Sequence, residues 1–316
     1  MSTTTVPAPP PWLGAPGVSP VPLRPLSVGE VLDGGMDLLR RHPGPTLGVS
    51  AATVTLQLLI TVPLWWAVTS LLDRAGTSAS GGATILLVLV TLTAASVVGS
   101  LGTTVTAVLT TASTAVAMGL EAAGEPAPLA SVWARLRPQL PRLLLLALTL
   151  TGINALFALI PLAGFVILLL GGVMRLSVLA VVFERASIGT ALRRGFQIGG
   201  SGGGMARQMG IRLLAALVSV LVWLMAFLPL SALVSGVASA LGAGDLMNDG
   251  GGGTLLFLAS LAIAYYLPLV AVWAFRSGVD TMLYLDGRMR GEALDVEWGL
   301  AARLARSRRR VLGGVR

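Results

Sequence analysis

Residues 143–174 read LLLLALTLTGINALFALIPLAGFVILLLGGVM, a stretch without one charged side chain. The apolar run continues to Phe183 across a single charge at Arg175. A helix of about 20 apolar residues crosses about 30 Å of hydrocarbon, so the run is long enough for two crossings. Pro161 and Gly164 interrupt it, and these residue types favour a turn between helices. We therefore predict a hairpin of two membrane-spanning helices.

Four other charge-free stretches flank this one, at residues 43–72, 75–120, 213–244 and 250–275. The chain has 316 residues, of which 54% are apolar and only 11% charged, and its mean hydropathy is +0.83. Soluble globular domains carry about 25% charged residues, so this chain has too few charges to cover a water-facing surface. The composition excludes an ordinary soluble domain and predicts an all-α, polytopic membrane protein.

The residue inventory excludes several kinds of active site. The chain has no cysteine, all 22 basic residues are arginine, and His42 is the only histidine. Disulfides, thiolate metal sites and cysteine nucleophiles are thereby excluded, as are a Walker A loop, which needs lysine, and a two-histidine zinc site. We interpret His42 as an uncapped helix end before Pro43. The G-x-S-x-G match at residues 199–203 lacks the strand that this motif requires before it.

These exclusions lead us to expect no catalytic residue, no cofactor, no metal and no enzymatic activity. The exclusive use of arginine, with abundant alanine, glycine, leucine and valine, suggests a GC-rich bacterial genome. We therefore place the protein in the membrane of a bacterial cell.

The number of crossings follows from the arginines that flank the apolar stretches. A helix over residues 83–119 would exceed about 50 Å, so this stretch alone is ambiguous. Two crossings would put Arg40 and Arg41 on the opposite side from the three arginines between 135 and 142, against the positive-inside rule. One crossing places them together, which predicts six spans, paired as three hairpins, with both termini in the cytoplasm. The predicted spans run about 46–72, 83–119, 142–160, 162–183, 207–229 and 254–285.

Two segments of other composition flank the predicted membrane domain at residues 26–299. Residues 1–25 hold eight prolines and predict a disordered, polyproline-like cytoplasmic arm. This arm lacks the pattern of a signal peptide, so we expect the first hydrophobic helix to direct insertion. Residues 300–316 hold six arginines and predict a basic cytoplasmic tail. Arginines near a membrane attract anionic lipid headgroups. Because the tail lacks interleaved aromatic residues, we expect membrane lipids as partners and no nucleic acid.

A short amphipathic segment precedes each predicted hairpin, at residues 27–41, 128–139 and 187–198. In the first segment, Ser27 and Glu30 match the S-x-x-E capping box that starts a helix. We predict that all three segments lie as interfacial helices among the cytoplasmic headgroups. Their beginnings align, which favours a triplication of helix plus hairpin. Chance similarity between short amphipathic helices is the alternative.

Small residues recur at every fourth position of the second predicted span. The ladder consists of Ala95, Gly99, Thr103, Ala107, Thr111, Ala115 and Gly119. Small residues at this spacing let helix backbones approach closely in lipid. The ladder predicts a central position for this span within the bundle, and a homodimer contact is the alternative.

Polar side chains inside the predicted spans are the candidates for a functional site. Arg175 lies in the fourth span, while Arg276 and Asp280 lie one turn apart in the sixth, where they could pair with each other. Asp280 could also reach Arg175. Charges within a membrane usually face a partner or a cavity, and the alternative is that both arginines snorkel to the cytoplasmic interface. Asn154 joins this candidate cluster, and Gln57 is read as a structural interhelical contact.

Three stretches carry a resemblance to a family. They are PLSVGEVLDG at 25–34 leading to LLRR at 38–41, RLSVLAVVFERASIGTALRR at 175–194 and LYLDGRMRGEALD at 283–295. Together they resemble uncharacterised actinobacterial integral membrane proteins, which are similar to the membrane domain of some bacterial glycerophosphoryl diester phosphodiesterases. The resemblance implies an integral membrane protein of the cell envelope. The catalytic domain of those enzymes is a separate barrel that uses histidines and acidic metal ligands, and we expect it to be absent here.

Two functions remain open at this point. The first is a non-enzymatic scaffold or accessory subunit whose cytoplasmic face binds lipid headgroups or a protein partner. The alternative is a transporter or lipid-handling protein with a polar cavity near the cytoplasmic half of spans four and six. A membrane-embedded enzyme would need an acid such as Asp280 or Glu184. The environment of Arg175 and Asp280 discriminates between these two functions. If both side chains reach bulk cytoplasm and do not line a cavity, the transporter loses its main support.

Overall fold

The structure is a computed structural model that describes residues 24–78, 81–122, 125–158, 163–200, 205–240 and 252–292. Nearly all of these residues are helical, and no strand occurs among them. The all-helical fold class is therefore confirmed. Most of the predicted arm, the whole basic tail, the turn at Pro161 and the serine of the G-x-S-x-G match lie outside the described residues.

Nine α-helices follow one another along the described part of the chain. Their bounds are α1 Val28–Arg41, α2 Val49–Ser78, α3 Gly81–Ala122, α4 Leu129–Leu136, α5 Leu140–Ala158, α6 Ala163–Glu184, α7 Ile188–Gly200, α8 Met205–Ala240 and α9 Gly252–Glu292. A π-helical segment, Gly44–Gly48, leads into α2, and a 3₁₀ turn, Arg137–Gln139, leads into α5. A helix is thus present at each position where a short amphipathic segment precedes a predicted hairpin.

Five segments are long and apolar enough to cross a membrane. They are Gly44–Leu71, Leu89–Ala122, Leu129–Leu156, Met205–Val237 and Leu255–Glu292. This result rests on length and composition alone. Several membrane-spanning helices are therefore supported, whereas the predicted sixth crossing, over α6, stays a prediction.

Helix α1 begins with the capping box that its sequence predicts. The Glu30 backbone amide donates to Ser27 Oγ at 3.3 Å, and the Ser27 amide donates to Glu30 Oε2 at 2.7 Å. The hydrogen bond from the Ser27 amide lowers the pKa of Glu30 from its ordinary value, with further contributions from the Ser27 hydroxyl and Arg24. The capping box is thus confirmed, and it fixes the point at which the chain enters the helix.

Helix α3, which carries the ladder of small residues, packs against five other helices. It runs as one unbroken helix, about 60 Å long at 1.5 Å per residue, and it contacts α2, α4, α5, α6 and α9. The buried ladder residues are Ala95, Ala107, Thr111, Ala115 and Gly119. At Gly99, by contrast, an added Cβ would have no neighbour within 4 Å. The tightest approach to α2 occurs at Gly102, where an added Cβ would lie 2.9 Å from Gln57 Cγ.

Hydroxyl groups connect the central helices. Thr114 on α3 and Ser277 on α9 are hydrogen-bonded at 2.8 Å. Ser113 Oγ donates to the Pro45 carbonyl at 2.8 Å, and Ser50 Oγ donates to the Val270 carbonyl at 2.9 Å. Hydrogen bonds of this kind hold helices together in lipid, where burial of apolar groups brings little gain.

The packed core lies at one end of the bundle, next to the three short helices. It is formed by the C-terminal halves of α3, α6 and α9, the N-terminal halves of α5 and α8, and the inner faces of α1, α4 and α7. The opposite halves of the long helices expose large apolar side chains, such as Leu89 on α3 and Met225 on α8. Such a surface is stable only in an apolar solvent, which agrees with the composition.

Two glycines allow α1 to lie directly on α9. A Cβ added at Gly278 would lie 2.5 Å from the Gly35 carbonyl oxygen, and one added at Gly35 would lie 2.9 Å from the Val279 amide nitrogen. Real Cβ atoms do not approach backbone atoms this closely, so α1 and α9 would have to move apart. Helix α1 can therefore lie this close to α9 only because Gly35 and Gly278 carry no side chain.

We expect Gly278→Ala to destabilise the protein by about 1–3 kcal/mol, because the added methyl group overpacks the contact between α1 and α9. The matched control is Gly29→Ala in α1, where an added Cβ has no neighbour within 4 Å and better helix propensity gives a small gain. The measurement is the apparent melting temperature of both variants in one detergent. Equal melting temperatures for the two variants would contradict the proposed contact.

Candidate functional site

Helices α6, α8 and α9 bring three arginines and one aspartate together inside the bundle. Asp280, Arg276 and Trp273 lie on one face of α9, because their spacing of three and four residues follows the helical repeat. Arg175 comes from α6 and Arg212 from α8, both of which contact α9. We call these five residues the arginine cluster.

Asp280 lies between two of the arginines without a close hydrogen bond to either. Arg175 Nη1 lies 3.8 Å from Asp280 Oδ2, and Arg212 Nε lies 3.7 Å from Asp280 Oδ1. These distances are within ion-pair range but longer than the 2.7–3.2 Å or so of a hydrogen bond. Of the two partners that the sequence left open for Asp280, Arg175 lies within ion-pair distance. With three positive charges and one negative charge, the cluster has a formal net charge of +2.

The indole ring of Trp273 is the second group, besides Asp280, that two of the arginines approach. The guanidinium carbon of Arg175 lies 4.9 Å from the centroid of its ring, and that of Arg276 lies 5.8 Å from it. Both distances are within the range of cation–π attraction. The possible pairing of Arg276 with Asp280 is not formed among the described residues, since the carboxylate oxygens of Asp280 face Arg175 and Arg212 instead. Both Arg175 and Arg276 lie against the same indole ring, and the side chain of Arg175 is 21% exposed.

Arg212 is the residue that the sequence analysis missed. Its three guanidinium nitrogens are buried and make no hydrogen bond with the described residues, and its side chain is only 12% exposed. Trp273 Nε1 is also buried without a hydrogen-bond partner in the described part of the chain. Arg212 lies inside the predicted span 207–229 but was not counted among the candidate polar residues, because it directly precedes the charge-free stretch 213–244. The signal that could have found it is this position within a predicted span, where an arginine usually faces a partner or a cavity; in the structure α8 begins at Met205, about 10 Å earlier along the helix axis.

The other predicted polar residues lie apart from the arginine cluster. No hydrogen bond or ion pair joins Asn154 to it within the described residues, so Asn154 does not belong to this group. Gln57 Nε2 lies 3.4 Å from both the Gly99 carbonyl and the Tyr266 hydroxyl. Gln57 thus connects α2, α3 and α9, which agrees with the structural role expected for it.

Nearer the end of the bundle, the buried carboxylate of Asp286 holds the start of the described chain. Its side chain is 1% exposed, and it accepts hydrogen bonds from the Leu26 amide at 2.8 Å, Arg290 Nε at 2.9 Å and Arg207 Nη1 at 2.5 Å. Both arginines also donate to the Leu26 carbonyl, at 2.6 Å from Arg207 and 2.9 Å from Arg290. We call this arrangement the Asp286 clamp. It joins the segment before α1 to α8 and α9.

Glu184, which the sequence offered as a possible catalytic acid, is held by two partners. Arg194 Nε donates to its two carboxylate oxygens at 3.1 and 3.0 Å, and the Tyr284 hydroxyl donates to Oε1 at 2.6 Å. Arg194 also pairs with Glu292. Burial lowers the pKa of Arg194, but the carboxylates of Glu184 and Glu292 outweigh that effect and raise it above its ordinary value. These contacts give Glu184 a structural role, the joining of α6, α7 and α9.

His42 lies at the end of α1 before Pro43, as interpreted, and its side chain also makes a contact that the sequence did not predict. Its backbone amide donates to the Leu38 carbonyl and so closes α1. Its ring nitrogen Nε2 lies 2.9 Å from Glu121 Oε2, and Arg41 Nη1 donates to the other carboxylate oxygen at 3.2 Å. The hydrogen bond to Glu121 raises the pKa of Arg41, against a smaller opposing effect of burial. Glu121 therefore ties the end of α1 to the end of α3.

A cavity of about 420 Å³ lies between the ends of α3, α4 and α6. Its lining includes Glu125 and Arg135, which form an ion pair at 2.6 Å, together with Gln139 and Arg185. Arg185 has a positive φ of 52°, an uncommon conformation for a residue other than glycine. Gln139 Oε1 is buried and has no hydrogen-bond partner among the described residues. The sequence analysis did not anticipate this cavity.

Comparison with protein-family models, with curated proteins and with solved structures finds no match to this chain. Within the described residues, no group of three or more histidine, aspartate or glutamate side chains could hold a metal ion. The arginine cluster is therefore the arrangement on which a functional proposal can be built.

We expect Asp286→Asn to destabilise the protein by about 3–5 kcal/mol, because two arginines would lose the negative charge of a buried partner. The matched control is Asp37→Asn, which removes an exposed i,i+4 pair with Arg41 and should cost about 0.5 kcal/mol or less. The measurement is thermal unfolding of both variants in detergent. Similar losses from both substitutions would show that the Asp286 clamp does not carry the stability ascribed to it.

Proposed function

We propose that the protein is a six-span integral protein of the bacterial plasma membrane with both termini in the cytoplasm. Five candidate spans support this proposal, and the apolar, 22-residue helix α6 supplies the sixth. Its only charge before the terminal Glu184 is Arg175. Six crossings place α1, α4 and α7 on one side, together with most of the arginines, as the positive-inside rule requires.

We further propose that the protein handles an anionic ligand within the membrane, as a lipid-handling protein or transporter and not as an enzyme. The observation that carries this proposal is the arginine cluster, which combines an uncompensated charge of +2 with buried N–H groups. Charges at such depth are costly, and they typically mark the path or binding site of a ligand. The cluster lies near the cytoplasmic half of spans four and six, where the lipid-handling alternative requires a polar site.

A scaffold remains the second candidate, and one observation favours it. Each short helix exposes a large apolar side chain: Val28 on α1, Trp133 on α4 and Phe196 on α7. In the interfacial position that we propose for these helices, the side chains would enter the lipid surface or receive a protein partner. The basic tail would add attraction to anionic headgroups. The resemblance to the membrane domain of glycerophosphoryl diester phosphodiesterases is compatible with either function.

We expect single cysteines at Ala130 and Ser187 to be protected from a membrane-impermeant maleimide in intact cells, and a cysteine at Ser78 to react. The chain contains no cysteine, so any labelling comes from the single introduced cysteine and not from a native one. One crossing by α3 separates Ser78 from Ala130, and two crossings by α5 and α6 return Ser187 to the side of Ala130. Labelling of Ser187→Cys from outside would mean that α6 does not cross.

We expect the purified protein to retain anionic lipid above its proportion in the bulk membrane, because the arginine cluster attracts negative headgroups. The triple variant Arg175→Gln, Arg212→Gln, Arg276→Gln should lose this enrichment. Arg193→Gln, which removes an exposed arginine of α7, should keep it. Mass spectrometry of the co-purified lipids measures the enrichment. Unchanged enrichment in the triple variant would contradict the proposed lipid-handling or transport function. The scaffold would then be the remaining candidate.

A further inference from the structure

We infer that the arginine cluster binds a phosphate group with two negative charges, with Arg212 as the principal ligand. This inference rests on the proposed function and specifies its ligand. The charge balance is the first argument. Three guanidinium groups and one carboxylate leave a formal charge of +2, which a phosphomonoester or inorganic phosphate dianion neutralises. A carboxylate or a phosphodiester would neutralise only half of it.

The hydrogen-bonding capacity of the cluster points to the same ligand. Each guanidinium carries five N–H donors in a fixed fork, and the three nitrogens of Arg212 have no hydrogen-bond partner in the described part of the chain. Trp273 Nε1 adds a donor on the ring that Arg175 and Arg276 approach. A phosphate offers three or more oxygens to several arginines at once, whereas a carboxylate offers two.

Asp280 sets the position of the arginines and limits the affinity. Its two oxygens lie 3.8 Å from Arg175 and 3.7 Å from Arg212, so it draws two like charges from different helices toward one point. The long distances leave the guanidinium N–H groups available for a stronger acceptor. Because Asp280 has the same charge sign as the ligand, it also weakens binding, which favours release. We expect this repulsion to outweigh the positioning effect, so the role given to Asp280 is to limit the affinity of the site.

The surroundings of Arg212 fit a ligand that arrives from the lipid phase or from water. Leu213, Leu214 and Leu217, which follow Arg212 on α8, are exposed on the outer surface of the bundle. These leucines offer a surface for an acyl chain, but the guanidinium nitrogens of Arg212 are buried, so the phosphate group of a lipid would have to enter the bundle to reach them. Inorganic phosphate offers the same dianion without the chain. The shared chemistry is the phosphate dianion, and experiment separates the two sources.

The test uses the full chain, purified in a nonionic detergent and phosphate-free buffer. Its apparent melting temperature is measured with inorganic phosphate, with short-chain phosphatidic acid and with phosphatidylglycerol, each against chloride at equal ionic strength. A ligand that binds only the folded state raises the melting temperature by an amount that grows with the logarithm of the ratio of its concentration to its dissociation constant. We expect the phosphate dianions to stabilise the protein more than phosphatidylglycerol, which carries one charge.

Three variants test the residue roles. Arg212→Gln should weaken the response to phosphate dianions by about tenfold or more, since it removes charge-assisted hydrogen bonds. Arg212→Lys keeps the charge and guards against loss of folding, and it should bind with intermediate affinity. Asp280→Asn should act in the opposite direction and strengthen binding by about tenfold, because it removes a repulsive charge. Arg193→Gln is the control and should respond like the unaltered protein.

Each outcome decides something. Stabilisation by phosphatidic acid alone supports a lipid source, and stabilisation by inorganic phosphate alone supports a soluble one. An Arg212-dependent response to phosphatidylglycerol without any response to the dianions would overturn the phosphate inference but preserve the proposed function. No response to any anion would overturn both. Weaker binding in Asp280→Asn would refute the role given to Asp280.

Discussion

The free-energy cost of removing a guanidinium group from water is the constraint on which this fold depends. A protein whose only basic residue is arginine must place each arginine at an aqueous end or give it an acidic partner. The structure does so with a few carboxylates that each serve more than one base or donor. Asp286, Glu184 and Glu121 occupy this role, and each joins elements that are far apart in the sequence. The same ion pairs that neutralise the arginines therefore also hold the helix ends together.

The arginine cluster departs from this pattern. At the Asp286 clamp, two arginines surround one carboxylate at hydrogen-bonding distance, and they share the Leu26 carbonyl as a further acceptor. In the arginine cluster, Asp280 is the single carboxylate beside three arginines, and its two ion pairs, with Arg175 and Arg212, are longer than hydrogen bonds. The contrast within one molecule is between arginines whose donors are satisfied by a carboxylate and arginines whose donors are not. This contrast is the reason for assigning the ligand to the arginine cluster and not to the Asp286 clamp.

The sequence predicted those features of the fold and the site that depend on local spacing. The capping box of Ser27 and Glu30 was predictable because its two residues lie within one helical turn. The contact between Arg175 and Asp280 was predictable because two charges within apolar runs have few other partners. Spacing allowed Arg276 to pair with Asp280, but it could not determine whether the pair forms. Both residues lie one turn apart on α9, but side chains from α6 and α8 take the carboxylate oxygens first.

Composition and charge distribution by themselves determined that this chain is helical and apolar enough to cross a membrane, because hydrocarbon demands about 20 consecutive apolar residues whatever the neighbours. Only the tertiary structure decided that Arg212 belongs to the site and that α1 lies on α9 through Gly35 and Gly278. The physical reason is geometric. Each residue turns the helix face by about 100°, so the partners of a side chain depend on the rotation and packing of the neighbouring helices. No single stretch of sequence encodes that arrangement.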